Sequence, residues 1–427
     1  MNYQQFLKEI ESKCAGKKKL QLDNFTQYSR AIGNPEKKLK GIHIGGTNGK
    51  GSTSAMVEAI FFAHGFSTGL NTSPHLVDYK ERFRINKQEL PEGKILNTYL
   101  RTRGFHQKYD TSFFEISTGL AFQLFYDEQV DYSIVEVGMG GRLDATKLIN
   151  SKISVITSID YDHTKSLGNT LVKIAWQKAG IIKPQTPVVI GKIPKRAGNV
   201  IRAEAEQQKA SVLSVEENCR VTIKEMTPGG NRFDCEIPEY NIAFTDLFCN
   251  MVGIHQIDNA TLALLIAAVI ARRDGWTLQE KLTREALTNV IWQGRMQTIS
   301  EDPKIIIDGA HNPAGVEKLV YNLSKIYSYK KLLCVVAILF DKDFNLMIKN
   351  LSDVVDTFIV SQSNSDRAST SKDLFEAAQK YKNVIATETV QEAINTAKNL
   401  ASSQDMICIT GSLYTIKEVL RGHKATK

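Results

Sequence analysis

Short apolar runs rich in β-branched residues recur along the chain, and most are followed by stretches whose apolar positions repeat every three or four residues. The first run closes at Ile42-His43-Ile44. Beyond a glycine-rich loop, Ala55, Ala59 and Phe62, with Met56, Ile60 and Ala63, fall at helical spacing, and Gly65 is a natural stop. Ser67–Asn71, Ile134–Val137 and Ile153–Ile159 read as further strands, Ile116–Tyr126 and Leu171–Lys178 as helices, and Leu262–Ala271 as the centre of a long apolar helix. The first forty residues read as two short helices with connectors. Pro228-Gly229-Gly230 is a hairpin turn between Arg220–Lys224 and Asn231–Cys235. From Lys304 the alternation restarts: strands at Lys304–Ile307, Leu332–Ala337, Thr357–Ser361 and Met406–Thr410, with a helix at Gly315–Ile326. That pattern predicts a second, doubly wound α/β domain of about 130 residues. The expected division is 1–292, a linker at 293–298, and 299–427.

A chain of 427 residues accommodates two or three domains. The apolar run Leu262–Ala271 is too short to span a bilayer, and Met1–Gln5 lacks a charged-then-apolar signal layout. Six scattered cysteines without a C-x-x-C pair argue against a zinc site or a disulfide framework. A cytoplasmic enzyme is therefore expected. The net charge of +8 suits acidic substrates but leaves most lysines to solvent, and Lys17-Lys18-Lys19 reads as a solvent-facing turn. No nucleic-acid or membrane partner is expected.

Candidate chemistry begins at Gly45-Gly46-Thr47-Asn48-Gly49-Lys50-Gly51-Ser52. Between a strand and a helix, its backbone N–H groups would cradle phosphate oxygens, Lys50 would reach the terminal phosphates, and the Ser52 hydroxyl would lie near magnesium. The usual phosphate-loop spacing is not kept, and Gly51 stands where Ser or Thr is customary, so a glycine loop without a ligand is the alternative. Ser73, on the loop Thr72-Ser73-Pro74-His75-Leu76, is either a turn residue or an oxygen donor to Mg²⁺. Glu136 lies inside a buried strand, where a carboxylate must be paired or metal-bound. His163, in Asp160-Tyr161-Asp162-His163-Thr164 at a strand's C-terminal end, is a loop histidine or a metal ligand. Lys178 in a helix's last turn could simply complement the helix dipole, and Asn259 could cap a helix or meet an adenine edge. Ser112-Phe113-Phe114-Glu115 reads as a helix entry with buried aromatics.

The loop resembles the phosphate loop of the Mur ligase superfamily, and within it the folylpolyglutamate synthase/dihydrofolate synthase family. The resemblance extends through Ser73-Pro74-His75-Leu76, Gly138-Met139-Gly140-Gly141-Arg142-Leu143-Asp144-Ala145, Lys178-Ala179-Gly180-Ile181, Trp292-Gln293-Gly294-Arg295, Asp308-Gly309-Ala310-His311 and Gly411-Ser412. It implies a Mur ligase-like ATPase domain followed by a Rossmann-like, glutamate-binding α/β domain; a monomer is expected. It implies ATP held by Thr47, Asn48, Gly49, Lys50, Gly51, Ser52, Asn259, Arg295 and Asp308. Two Mg²⁺ ions would be held by Ser73, Glu136, His163 and a carbamylated Lys178. A pterin would lie near Ser112, Phe113, Phe114, Glu115, Leu143, Asp144 and Ala145, and His311 and Ser412 would help place the incoming glutamate. Lys147, Gln177 and Gln293 stand where the family usually has Asn, Glu and Pro. The implied reaction adds L-glutamate to a folate or dihydropteroate through an acyl phosphate. Rival readings are a Mur ligase acting on another carboxylate, a phosphate-loop kinase or GTPase, and a nucleotide-binding module without catalysis.

Overall fold

The computed structural model describes residues 1–15 and 22–425; the lysine run 17–19 lies outside them. Eight strands form the first sheet: β1 (Gly41–Gly45), β2 (Thr68–Asn71), β3 (Phe83–Ile85), β4 (Gln88–Glu89), β5 (Tyr132–Glu136), β6 (Ser151–Ile156), β7 (Val188–Ile190) and β8 (Val212–Ser214). Their order is β4-β3-β2-β5-β1-β6-β7-β8, parallel from β2 to β8 with an antiparallel β3–β4 edge. β1 and β5 are buried along their whole length, which is why they read as unbroken apolar runs rather than alternating ones.

Helices Lys50–Ala63 and Ile254–Asp274 pack against each other. The second is 21 residues long and apolar enough to cross a membrane by length and composition, but most of it is buried inside the chain. Its apolar surface is covered by the first sheet and by a small antiparallel sheet, β9 (Arg220–Thr227), β10 (Gly230–Ile237) and β11 (Ile242–Cys249). The predicted hairpin is thus two strands of three. At the N-terminus, helices Tyr3–Glu11 and Asp23–Ala31 are followed by a further turn, Pro35–Lys38; Phe6, Ile10, Phe25 and Tyr28 bury themselves in the same cluster as helix Phe113–Asp127.

The third sheet holds β12 (Gln297–Glu301), β13 (Lys304–Ile307), β14 (Leu332–Val336), β15 (Thr357–Gln362), β16 (Asn383–Thr389) and β17 (Met406–Thr410) in the order β12-β13-β17-β14-β15-β16. All pairs are parallel except β12–β13. The mixed α/β class holds, with two largely parallel sheets. Gln297 and Thr298, expected in the linker, pair with Ile307 and Ile306 as the first residues of β12. The strand expected to run to Ile159 stops at Ile156, because residues 157–160 turn to meet the phosphate loop.

Candidate functional site

β1 delivers its chain into a tight loop before helix Lys50–Ala63. Gly46 and Gly49 sit at φ 144° and 84°, and a Cβ on Gly46 would lie 1.9 Å from Thr157 Oγ1. Gly49 is the N-cap and no side chain caps the helix, so N–H groups of its first turn are left for an anion. Gly51 replaces the customary hydroxyl residue because its Cβ would stand 2.7 Å from the Trp292 ring. Lys50 Nζ donates to Thr47 O at 3.1 Å, and Ser52 lines the same cleft. The Thr47 hydroxyl is already engaged, donating to Asp160 O at 3.3 Å and accepting from Asp160 N at 3.1 Å. Gly46→Ala is expected to lower stability by about 2 kcal/mol, read by urea denaturation, because a strained backbone and an overlap fall on one residue.

Around this loop lies a cleft of about 490 Å³, at the C-terminal ends of β1, β2, β5 and β6 and facing the third sheet. Ser73, Glu136, His163, Lys178, Asn259, Arg295, Asp308 and His311 all line it. Glu136 accepts the Ser73 N–H at 3.1 Å. Burial raises its carboxyl, against the pull of Lys50, the Ser73 N–H and Arg295. Lys178 is buried and donates to Gly46 O at 2.6 Å. Burial, then the charge of Lys50, brings its amine down to about 7, despite Asp162, Asp144 and Asp160. His163 sits at φ 49°, and burial lowers its ring to about 4, leaving it neutral. Asn259 lies in the second turn of its helix rather than the first. Its side chain donates to Gln256 at 2.9 Å and stands against Gly49.

The two α/β halves meet in this cleft through polar side chains. Asn48 Nδ2 donates to Asn312 Oδ1 at 3.1 Å, and Asn312 Nδ2 returns a bond to Asn48 Oδ1 at 2.9 Å. Asn312 also caps helix Pro313–Ile326. Asp162, which carried no assignment from sequence, receives Lys342 Nζ, Asn312 Nδ2 at 3.2 Å and the His163 N–H at 2.7 Å, with His311 Nε2 at 3.5 Å. Burial alone would raise this carboxyl; His311, then Lys342 and His163, hold it well below the usual carboxylate range. Asp308 spends both oxygens on backbone, accepting Met296 N and Ala310 N at 2.9 Å each. It therefore fixes the strip that carries Arg295. Ser412 is not brought to the cleft: it is buried, its hydroxyl bonded to Thr415 Oγ1 at 2.7 Å and accepting Thr415 N at 3.0 Å.

The residues expected around a pterin do not line the cleft either. Ser112 and Glu115 close a capping box at the start of helix Phe113–Asp127. Phe113 lies edge-on to Tyr79 and beneath the Arg82 guanidinium, and Phe114 rests against Gly138. Leu143 is 42% exposed and Ala145 is buried. Asp144 accepts Met139 N at 2.9 Å and Thr146 N at 3.0 Å, ordering the loop after Glu136 rather than presenting a free carboxylate. A sequence signal for Asp162 existed in the polar cluster after β6, but nothing there indicated that its partner Lys342 lies 180 residues away.

A family model described as the Mur ligase middle domain matches residues 44–267, and one described as the Mur ligase glutamate ligase domain matches residues 294–413. The chain is 33% identical over 405 residues to the dihydrofolate synthase/folylpolyglutamate synthase of Bacillus subtilis, covering 93% of this chain and 94% of that one. It is 32% identical over 406 residues to the folylpolyglutamate synthase of Lacticaseibacillus casei, covering 92% and 93%. Among solved structures, Mycobacterium tuberculosis folylpolyglutamate synthase complexed with ADP superposes with a TM-score of 0.92 at 31% identity, over 99% of this chain and 98% of that one. E. coli FolC in complex with DHPP and ADP gives 0.91 at 29% identity, over 100% and 98%.

Proposed function

The chain belongs to the dihydrofolate synthase/folylpolyglutamate synthase family of Mur ligases, and from that premise we propose that it is an ATP-dependent ligase joining L-glutamate to a folate, and to dihydropteroate. One observation carries the reading most. The phosphate loop and Lys50 from the first sheet, and Arg295, Asp308 and His311 from around the third, converge on one cleft that also holds Glu136 and Lys178. In this reading 1–292 is the ATP-binding domain and 299–427 the glutamate-binding domain.

A substrate carboxylate oxygen attacks the γ-phosphorus, a new O–P bond forms, and the bond to the β-phosphate oxygen breaks, releasing ADP. Lys50 and Arg295 offset the charge spread over the transferring group, and the first-turn N–H groups hold the remaining phosphates. The amine of glutamate then attacks the acyl phosphate carbon; the C–O bond breaks, phosphate leaves, and the nitrogen loses a proton. His311 helps place the incoming glutamate. The two halves around the cleft keep water from the acyl phosphate. The bonds made by Ser412 give it the role of fixing the start of helix Leu413–Ala425.

Among the described residues, no group of three His, Cys, Asp or Glu side chains is assembled to hold a metal by itself. That fits magnesium, which binds through one or two protein oxygens together with phosphate oxygens and water. Glu136 and the Ser73 hydroxyl would hold one ion, and neutral His163 and a carbamate on Lys178 the second. Bound there, magnesium would neutralise charge on the phosphoryl oxygens.

Carbamate formation needs a neutral amine: Lys178 Nζ adds to carbon dioxide, an N–C bond forms, and a proton is released. With the amine brought down to about 7, half of it is neutral near that pH, whereas an ordinary lysine is almost wholly charged there. At fixed dissolved ¹³CO₂, a carbamate resonance is expected to grow from about pH 6 to about pH 8 and to be missing from Lys178→Ala. The same resonance in both proteins would remove Lys178 from the metal site.

The function itself is tested by ADP release with dihydropteroate and with tetrahydrofolate, side by side, each with and without L-glutamate. Glutamate-dependent release with either acceptor is the expected result; nucleotide binding without release would leave a binding module. The reading extends to a cytoplasmic monomer, checked for mass by sedimentation.

A further inference from the structure

Helix Leu171–Ala179 carries Lys178 in its last turn, and the way that turn is closed is unusual. The last four carbonyls of a helix have no partner within it. Here the following turn satisfies two of them: Gly180 N donates to Lys178 O, and Ile182 N donates to Ala179 O at 2.9 Å. The other two are met from a different part of the chain by one residue. Arg142 N donates to Gln177 O at 2.8 Å, and Arg142 Nη2 donates to Trp176 O at 3.2 Å. The guanidinium lies 4.1 Å from the centre of the Trp176 ring and is paired with Glu204 of helix Lys195–Gln207.

The backbone is shaped for this contact. Gly141, at φ 156°, leaves no room for a Cβ, which would stand 2.9 Å from Lys178 O and 3.1 Å from Gln177 O; a Cβ on Gly180 would stand 2.4 Å from that of Arg142. Arg142 also lies only six residues beyond Glu136, on the loop that leaves β5. It therefore joins the end of the strand that carries Glu136 to the end of the helix that carries Lys178, two of the candidate magnesium ligands. A cation is also favoured electrostatically at a helix C-terminus.

We infer that Arg142 is a positioning residue for the metal site, a helix cap supplied from outside the helix that sets the distance between Glu136 and Lys178. Its metal consequence rests on the ligase reading above; the cap itself does not. Lysine cannot reproduce it, since a single ammonium does not cover the indole while reaching both Trp176 O and Glu204.

The test compares Arg142→Met and Arg142→Lys with the parent, in the full chain. Amide exchange of residues 176–182 is expected to quicken about tenfold or more in both variants, with the rest of the first domain unchanged. In the turnover assay the magnesium concentration for half-maximal rate is expected to rise about 10- to 100-fold, with the KM for the folate acceptor unchanged. A residue that served stability alone would speed exchange across the whole domain and lower the active fraction without moving the magnesium requirement, and that result overturns the inference, as does parental exchange at 176–182. If Arg142→Met does not fold, Arg142→Lys alone is read in the same way. Should the parent itself show no magnesium-dependent turnover, the ligase reading fails, while the exchange data still decide the cap.

Discussion

Lys50→Ala is expected to reduce glutamate-dependent ADP release by about a thousandfold or more while leaving the melting temperature within a few degrees of the parent. Lys50 opens its helix beside the cleft, and its ammonium makes one backbone bond, to Thr47 O. Little of the fold depends on that bond. In phosphoryl transfer, by contrast, charge moves onto the β–γ bridging oxygen and the departing group, and a fixed cation in a partly dry cleft acts on it far more strongly than water does. A second effect adds to the loss. Lys50 is the largest neighbouring charge opposing the upward push of burial on Glu136, and it is the neighbouring charge that lowers Lys178, so its removal disturbs both. Turnover near the parental rate would place the triphosphate elsewhere.

Glu136→Gln should be nearly as damaging to turnover, with a loss of about a hundredfold to a thousandfold, and should leave the protein as stable as the parent or more so. The amide keeps an oxygen to accept the Ser73 N–H, so the loop of residues 72–76 stays in place. What disappears is a carboxylate buried at the end of β5 and raised by that burial. A carboxyl buried there costs desolvation whenever it carries charge and is retained for what it binds. The diagnostic result is the pair of changes together. A large drop in melting temperature would mean that Glu136 serves the fold, and an unchanged magnesium requirement would remove it from the metal site.

The elements legible from sequence are those in which one physical signal dominates. β1, β5, β13, β14 and β17 are short, β-branched and buried on both faces, and the phosphate loop carries its glycines where positive φ or close approach demands them. Helix Glu92–Lys108 was not legible: its buried face is made by Ile95, Thr98, Tyr99, Thr102 and His106, so the apolar period is interrupted by residues whose polar atoms find partners inside. β16 is largely exposed at a sheet edge, and β11 alternates around a shift in register, so neither shows a clean apolar run. In the site, the residues that line the cleft were found because the family's motifs point to them. The contacts that join the halves were not, since Asn48 with Asn312 and Asp162 with Lys342 are complementary only once the chain has folded. The roles of Asp144 and Ser412 came from the family resemblance alone, and a sequence does not show that backbone amides and a neighbouring hydroxyl bond to these side chains in the fold.

The reciprocal amides of Asn48 and Asn312 have a consequence for how a triphosphate would enter. Each amide gives one N–H to the other and receives one, so a newcomer that takes the paired N–H of Asn48 releases its opposite number. A phosphate oxygen recruiting that N–H would slacken the seam between the two halves, and by reciprocity anything that draws the halves together would make that recruitment harder. Tight capture of nucleotide and a fully sealed seam would then be rivals, and the bound state would have to recover elsewhere, across Arg295 and the ligand itself, the grip it surrendered at that pair.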